Sequence, residues 1–257
     1  MPADNQESLG YGAFFKRPDA VTEYLQTYAP GNSSSDGLAW DFQRRHLRTL
    51  VRAFVAGRPT ASALDYACGG GRILGQLAPE FEHVHGWDSS PAMLERCAAN
   101  VPGVQLRCVD LAEVDSAEEV LTERFDVITV FRLFLNLEPD RRRLVARRLA
   151  GLLNPGGLLI FDNHGNRRSL RHLPVTLAAG RHRFANEWSD AEVSALTAEC
   201  GLAIVDRAGF GWLPEALHRN RLLRSPARRI DSFLLTRTRS PWLAIRVLYL
   251  AQREEIG

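Results

Sequence analysis

The 257-residue sequence predicts an α/β fold, a seven-stranded, mostly parallel sheet with helices on both faces. Three observations predict it. Short apolar runs recur along the chain, separated by segments long enough for helices; a glycine triplet, Gly69-Gly70-Gly71, follows the first run; and acidic residues close the first three runs.

Residues 1–39 read as an N-terminal arm or lid ahead of a domain spanning 40–257. Tyr11, Phe14, Phe15, Tyr24 and Tyr28 suit either folding over a ligand or packing on the sheet, and 31–37 has the composition of a loop. Trp40, Leu47, Leu50, Val51 and Phe54 fall near helical spacing, so a first core-covering helix runs from Trp40 to Val55 and stops at Gly57 and Pro59. Strands follow at 63–67, 83–87, 104–109, 125–131 and 157–162, with helices between them at 72–79, 91–100, 116–122 and 139–153. The last helix ends in the breaker Asn154-Pro155-Gly156-Gly157. Ser189 and Glu192 form a capping-box pattern that opens a helix to about Cys200. Residues 202–206 and 244–251 complete the sheet, and 213–238 are inserted between them as one or two arginine-studded helices.

Composition narrows the function. Lys16 is the single lysine among 32 basic residues, and 30 acidic residues leave a formal charge of +2, which argues against a general nucleic-acid binder. Cys68, Cys97, Cys108 and Cys200 lack CxxC spacing, as expected of reduced thiols in a cytoplasmic protein without a structural metal. The polar, acidic N-terminus predicts no signal peptide, and no apolar run predicts a membrane span.

The run Leu64-Asp65-Tyr66-Ala67-Cys68-Gly69-Gly70-Gly71-Arg72 places a strand before a loop whose bare backbone lets a nucleotide-like cofactor approach closely. Asp88, seventeen residues after Gly71, closes the second strand where a carboxylate can accept both ribose hydroxyls. Asp110 closes the third, placed to accept from an adenine amino group while Leu111 covers the ring. Asp65 is placed to orient the loop or the cofactor's amino group.

These residues resemble the motif D-x-G-x-G-x-G of class I methyltransferases, with Ala67 in place of the usual first glycine. The resemblance extends over about residues 40–210, through Arg124 to Val130 and Leu153 to Ile160. It implies a Rossmann-like sheet, S-adenosylmethionine as cofactor and S-adenosylhomocysteine as product, with Asp65, Ala67, Cys68, Gly69, Gly71, Asp88, Ser89, Asp110, Leu111 and Phe131 binding it. It further implies transfer of a methyl group to oxygen or nitrogen of a small metabolite, in bacterial specialised biosynthesis. RNA or protein methylation, and a catalytically inactive assembly partner of the same fold, are the alternatives; no clear N/D-P-P-Y/F signature is present.

Methyl transfer is an in-line displacement, so acceptor groups belong beyond the fourth and fifth strands. Arg132 is placed to hold an anionic acceptor group or to pair at the surface. His164, in the polar run from Asp162 to Ser169, is the candidate general base; His46, His83, His85 and His182 are weaker ones. His218, Arg219, Arg221, Arg224, Arg228 and Arg229 stand beside Leu217, Leu222, Leu223 and Ile230 in an amphipathic insertion. A solvated face, a homodimer surface, a partner protein, a substrate phosphate and peripheral membrane contact all fit that pattern.

Overall fold

The computed structural model describes residues 35–113, 121–169, 186–213, 217–218, 220–237 and 240–254. The expected aromatic arm up to residue 34, most of the helix expected at 116–122, His182 and Arg219 lie outside the described residues.

One seven-stranded sheet organises the chain: β1 (Ser62–Tyr66), β2 (His83–Asp88), β3 (Gln105–Cys108), β4 (Phe125–Val130), β5 (Leu153–Asn163), β6 (Leu202–Phe210) and β7 (Arg246–Arg253). Their spatial order is β3-β2-β1-β4-β5-β7-β6, and only β7 runs antiparallel to its neighbours. Chain order reverses between β1 and β4, which opens a crevice beyond their carboxyl ends.

The strands alternate their faces. Leu64, Ile128 and Leu159 join one core with Val145 and Leu149 of α4 (Pro139–Leu152) and Val193 of α5 (Asp190–Glu199). Ala63, Val127, Leu158 and Ile160 point the other way, against Leu47 and Val51 of α1 (Ser35–Val55), Leu74 and Leu77 of α2 (Leu74–Leu77) and Cys97 of α3 (Pro91–Asn100). Both faces are therefore covered, as a parallel sheet requires. α6 (Arg224–Arg237) lies in the insertion before β7.

Several boundaries differ from the sequence expectation. α1 begins at Ser35, inside the stretch expected as loop and arm, because Ser, Asp and Gly open helices as readily as they form loops. α2 is four residues long instead of spanning 72–79. The expected breaker from Asn154 to Gly157 does end α4, yet it lies inside β5, where the pairing with β4 jumps from Phe125↔Leu153 to Val127↔Leu158. That bulge absorbs the proline and the two glycines without ending the strand. β6 continues four residues past Asp206 through Gly209, where a Cβ would stand 2.3 Å from the Ser240 carbonyl oxygen; bare backbone is needed for that close approach. The capping box forms as expected: Ser189 Oγ accepts the Glu192 N–H at 3.3 Å, and Glu192 Oε2 accepts the Ser189 N–H at 2.8 Å.

Candidate active site

The glycine loop is held from two sides. Directly after β1, Ala67 turns into the left-handed region at φ 57°, and the Cys68 N–H donates to the Trp87 carbonyl of β2 at 3.1 Å. The Gly69 N–H donates to Asp88 Oδ2 at 2.8 Å, while Asp88 Oδ1 accepts the Ser90 N–H at 2.9 Å. On the far side, Asn100 Nδ2 donates to the Gly70 carbonyl at 2.9 Å. Gly71 has φ 85°, and a Cβ there would meet Val101 Cγ2 at 2.8 Å and Cys97 Sγ at 3.0 Å, so conformation and space both exclude a side chain. The Cys97 thiol and burial push the Cys68 thiol up, which keeps it protonated.

Asp65 sits beneath this loop. Thr129, its register partner on β4, donates from Oγ1 to Asp65 Oδ1 at 2.7 Å. Asp65 Oδ2 is buried without a hydrogen bond of good geometry; the Thr129 bond, the Arg72 charge and the Leu74 amide only partly offset the burial, and the carboxyl is pushed up to about 7. Burial also raises the Asp88 carboxyl, against the pull of the Ser90 and Gly69 amides. Asp110 follows the bond from the Val109 N–H to the Asp88 carbonyl (3.0 Å), and its Oδ1 accepts the Ala112 N–H at 2.8 Å. Asp65, Asp88 and Asp110 thus converge at one edge, with the exposed Ser89 beside Asp88.

Leu111 requires a correction. Its side chain has no exposed surface and packs in the core, while its N–H donates to the Tyr66 hydroxyl at 2.9 Å. It fixes the chain after β3 instead of offering a free face to a ring. Phe131 is likewise almost fully buried, in the opposite core.

A second group of polar residues lies where β4 and β5 end. Arg132 adopts φ 61°, and its N–H donates to Asp162 Oδ1 at 2.6 Å. Asp162 Oδ2 accepts from Gln43 Nε2 of α1 at 3.2 Å. Burial raises the Asp162 carboxyl, while the Arg132 amide, the Arg132 and Arg72 charges and Gln43 pull it back down. His164 is partly exposed, with Nδ1 4.0 Å from Asp162 Oδ1, too far for a hydrogen bond. Arg72 itself lies over the Trp40 ring, 4.5 Å from its centroid.

The sequence reading did not single out Gln43, Arg72, Thr129 or Asp162 as site residues. Thr129 is flanked by ordinary strand residues, and Gln43 and Arg72 reach the carboxylates only through folding. Asp162 stands in the polar run, but most of that run is structural: Asn163 Nδ2 donates to the Trp188 carbonyl at 3.0 Å, and Asn166 Nδ2 donates to the Pro241 and Ala244 carbonyls at 3.0 and 2.8 Å. Among the described residues no group of three or more His, Cys, Asp and Glu is arranged to hold a metal ion.

Residues 63–157 match the family model of a methyltransferase domain. Over 132 residues the chain is 32% identical to trans-aconitate 2-methyltransferase of Deinococcus radiodurans, a stretch covering 50% of this chain and 48% of that protein. Over 178 residues it is 27% identical to a ubiquinone biosynthesis O-methyltransferase of Pseudomonas syringae pv. tomato, covering 65% and 74%. The chain spans about half the length of the first of these relatives and is similar to them in its methyltransferase-like region. The fold is similar to that of magnesium protoporphyrin IX methyltransferase from Synechocystis PCC 6803, solved with bound S-adenosylhomocysteine, which superimposes with a TM-score of 0.64 at 16% identity, covering 95% of this chain and 98% of that one. The expected seven-stranded, mostly parallel sheet is borne out.

Two outcomes follow for the chain itself. A non-glycine residue in the left-handed region costs about 1–2 kcal/mol, partly cancelled by the extra unfolded-state freedom of glycine. Ala67→Gly is therefore expected to raise stability by about 0.5–1 kcal/mol in urea unfolding. Asp65, with a folded-state pKa of about 7 against 3.8 in the open chain, is favoured protonated in the fold. The stability it supports is full below about pH 4 and falls away up to about pH 7, then stays level, because the folded state binds the extra proton across that window. Asp65→Asn is expected to flatten that slope relative to wild type in unfolding curves taken across the window.

Proposed function

We propose that this chain is a class I S-adenosylmethionine-dependent methyltransferase that transfers the methyl group of S-adenosylmethionine to an oxygen or nitrogen of a small molecule. The observation that carries the proposal is the convergence of the clamped glycine loop with Asp65, Asp88 and Asp110 at the β1–β4 crevice. The site fits such a cofactor on this chain's own features: Asp65 Oδ2 is a buried acceptor with spare capacity, and near Gly69 a Cβ would find only Met93 Sδ, at 3.9 Å, so the loop leaves room on that side. The relatives named for trans-aconitate and ubiquinone precursors support a small acceptor.

Bound S-adenosylmethionine supplies a methyl group on a positively charged sulfur, which keeps the bonding electron pair as the methyl leaves. Around it, Asp88 accepts from the ribose hydroxyls with the lone pairs that Gly69 and Ser90 leave free, and Ser89 adds polar contact beside it. Asp110 accepts from the adenine amino group. Ala67, Cys68, Gly69 and Gly71 form the cradle, Phe131 supports it from the core, and Asp65 draws the amino group. Arg132, at the end of β4, holds an anionic group of the acceptor. His164 takes the proton that a hydroxyl acceptor releases on attack, or that an amine acceptor releases once methylated, with Asp162 beside it.

Calorimetric titration with S-adenosylmethionine and S-adenosylhomocysteine is expected to show one site per chain. Asp88→Ala should weaken it by roughly 30-fold or more, since a hydrogen bond to a charged group contributes about 1.5–3 kcal/mol. Folded wild-type protein that binds neither compound removes the proposal. Once an acceptor screen has found a substrate, His164→Ala is expected to keep cofactor affinity and to lower turnover by roughly 100-fold. Unchanged turnover takes the proton-accepting role from His164 and leaves it to solvent.

A further inference from the structure

Among the described residues the large exposed apolar side chains are not scattered. Leu222 is 85% exposed, Leu223 44%, Ile230 48%, Phe233 57% and Trp242 66%, and Val205 is the only other large hydrophobic residue so exposed. The helical winding of α6 begins before Arg224: Asn220 Oδ1 accepts the N–H groups of Leu222 (2.9 Å) and Leu223 (3.2 Å), and the Arg224 N–H donates to the Asn220 carbonyl at 2.9 Å. Leu223 and Ile230 stand seven residues apart, and Leu222 and Phe233 eleven, so the four share one outward side of the helix.

The opposite side of α6 is pinned to the domain. Ala227 and Asp231 are buried, and Asp231 Oδ1 accepts the N–H groups of Trp212 (3.0 Å) and Leu213 (3.2 Å), just beyond β6. Asp231 Oδ2 pairs with His218 Nε2 at 2.8 Å. These bonds fix the inner face on protein and leave the apolar outer face to the surroundings.

The charge around it is one-sided. From Leu217 to Arg246 the sequence holds eight arginines and a single acidic residue, the buried Asp231, so the remainder of a chain with net charge +2 is net acidic. A second copy laid on this face would bring two arginine-rich surfaces together. Nucleic acid would engage the arginines but leave leucine, isoleucine and phenylalanine against phosphate and water. An anionic bilayer satisfies both: apolar side chains enter the acyl boundary, tryptophan lies at the headgroup level, and arginine meets lipid phosphate.

We propose that the outer face of α6, together with the exposed Trp242 of the segment that leads into β7, is a docking surface for an anionic phospholipid bilayer. No described helix is long and apolar enough to cross a membrane, so the contact is peripheral. β6 runs parallel to β5, which puts the Trp212 anchor of α6 at the same sheet edge as Asp162 and His164. Docking therefore brings that edge to the lipid surface. The surface does not depend on methyl transfer and stands or falls separately from it.

The test is co-sedimentation of the full chain with vesicles of phosphatidylcholine containing phosphatidylglycerol, against vesicles of phosphatidylcholine alone. Binding is expected only to the anionic vesicles, weakened by about 0.5 M salt, which shortens electrostatic reach. The double variant I230S/F233S should lower the partition by at least roughly tenfold while circular dichroism stays unchanged, because each buried methylene contributes to interfacial binding. A blue shift of tryptophan emission on anionic vesicles should disappear in Trp242→Phe. No binding to anionic vesicles, or equal binding by wild type and I230S/F233S, overturns the proposal. So does a wild-type dimer in sedimentation velocity that I230S/F233S dissociates, since the face would then serve a second copy.

Discussion

The carboxylate of Asp88 carries the geometry of the site. One oxygen receives the Gly69 amide and the other the Ser90 amide, so the end of β2 fixes both the glycine loop and the start of α3. Hydrogen bonds to a charged group contribute about 1.5–3 kcal/mol each, enough to hold a loop of bare backbone in one shape despite the cost of burying the charge. The clamp works only because β2 pairs with β1 in a register that sets Trp87 beside Tyr66 and Asp88 one step beyond. Sheet order thus determines where the loop lies before any ligand is considered.

Strain collects at the same edge. Ala67 and Arg132 follow β1 and β4, which are hydrogen-bonded neighbours, and both take positive φ that side chains disfavour. Each is followed or held by a firm anchor: the Cys68 amide on the Trp87 carbonyl in one case, the Arg132 amide on Asp162 in the other. The adjacent strands therefore turn sharply where chain order reverses, which keeps the crevice open instead of letting the following segments close over it.

Much of this was legible in the sequence because it depends on local pattern. Strand periodicity, the glycine triplet, the spacing to Asp88 and Asp110 and the Ser189–Glu192 box are all short-range signals, and the sheet and cap formed as expected. What sequence could not show depends on distance along the chain. Gln43 meets Asp162 across 119 positions and Thr129 meets Asp65 across 64, and neither has a local signature. Leu111 misled for a related reason. Its position after an acidic strand end suggests a ligand contact, but whether a leucine faces ligand or core is decided by the turn after β3, which the Tyr66 hydroxyl sets. The start of α1 at Ser35 was hidden because capping residues and loop residues are the same types.

The position of Asp231 ties the remote helix to the same sheet edge. Its two oxygens accept from the Trp212 and Leu213 amides and face His218, so the single acidic residue between Leu217 and Arg246 points inward. Turned outward, it would offset part of the arginine charge and leave two backbone amides and a buried imidazole without their partner, a loss of about 1–3 kcal/mol for each unsatisfied group. The bonds that anchor α6 on β6 are thus the ones that strip negative charge from its surface. Anchoring the helix, concentrating its positive charge and leaving Leu222, Ile230 and Phe233 outward are consequences of one buried carboxylate.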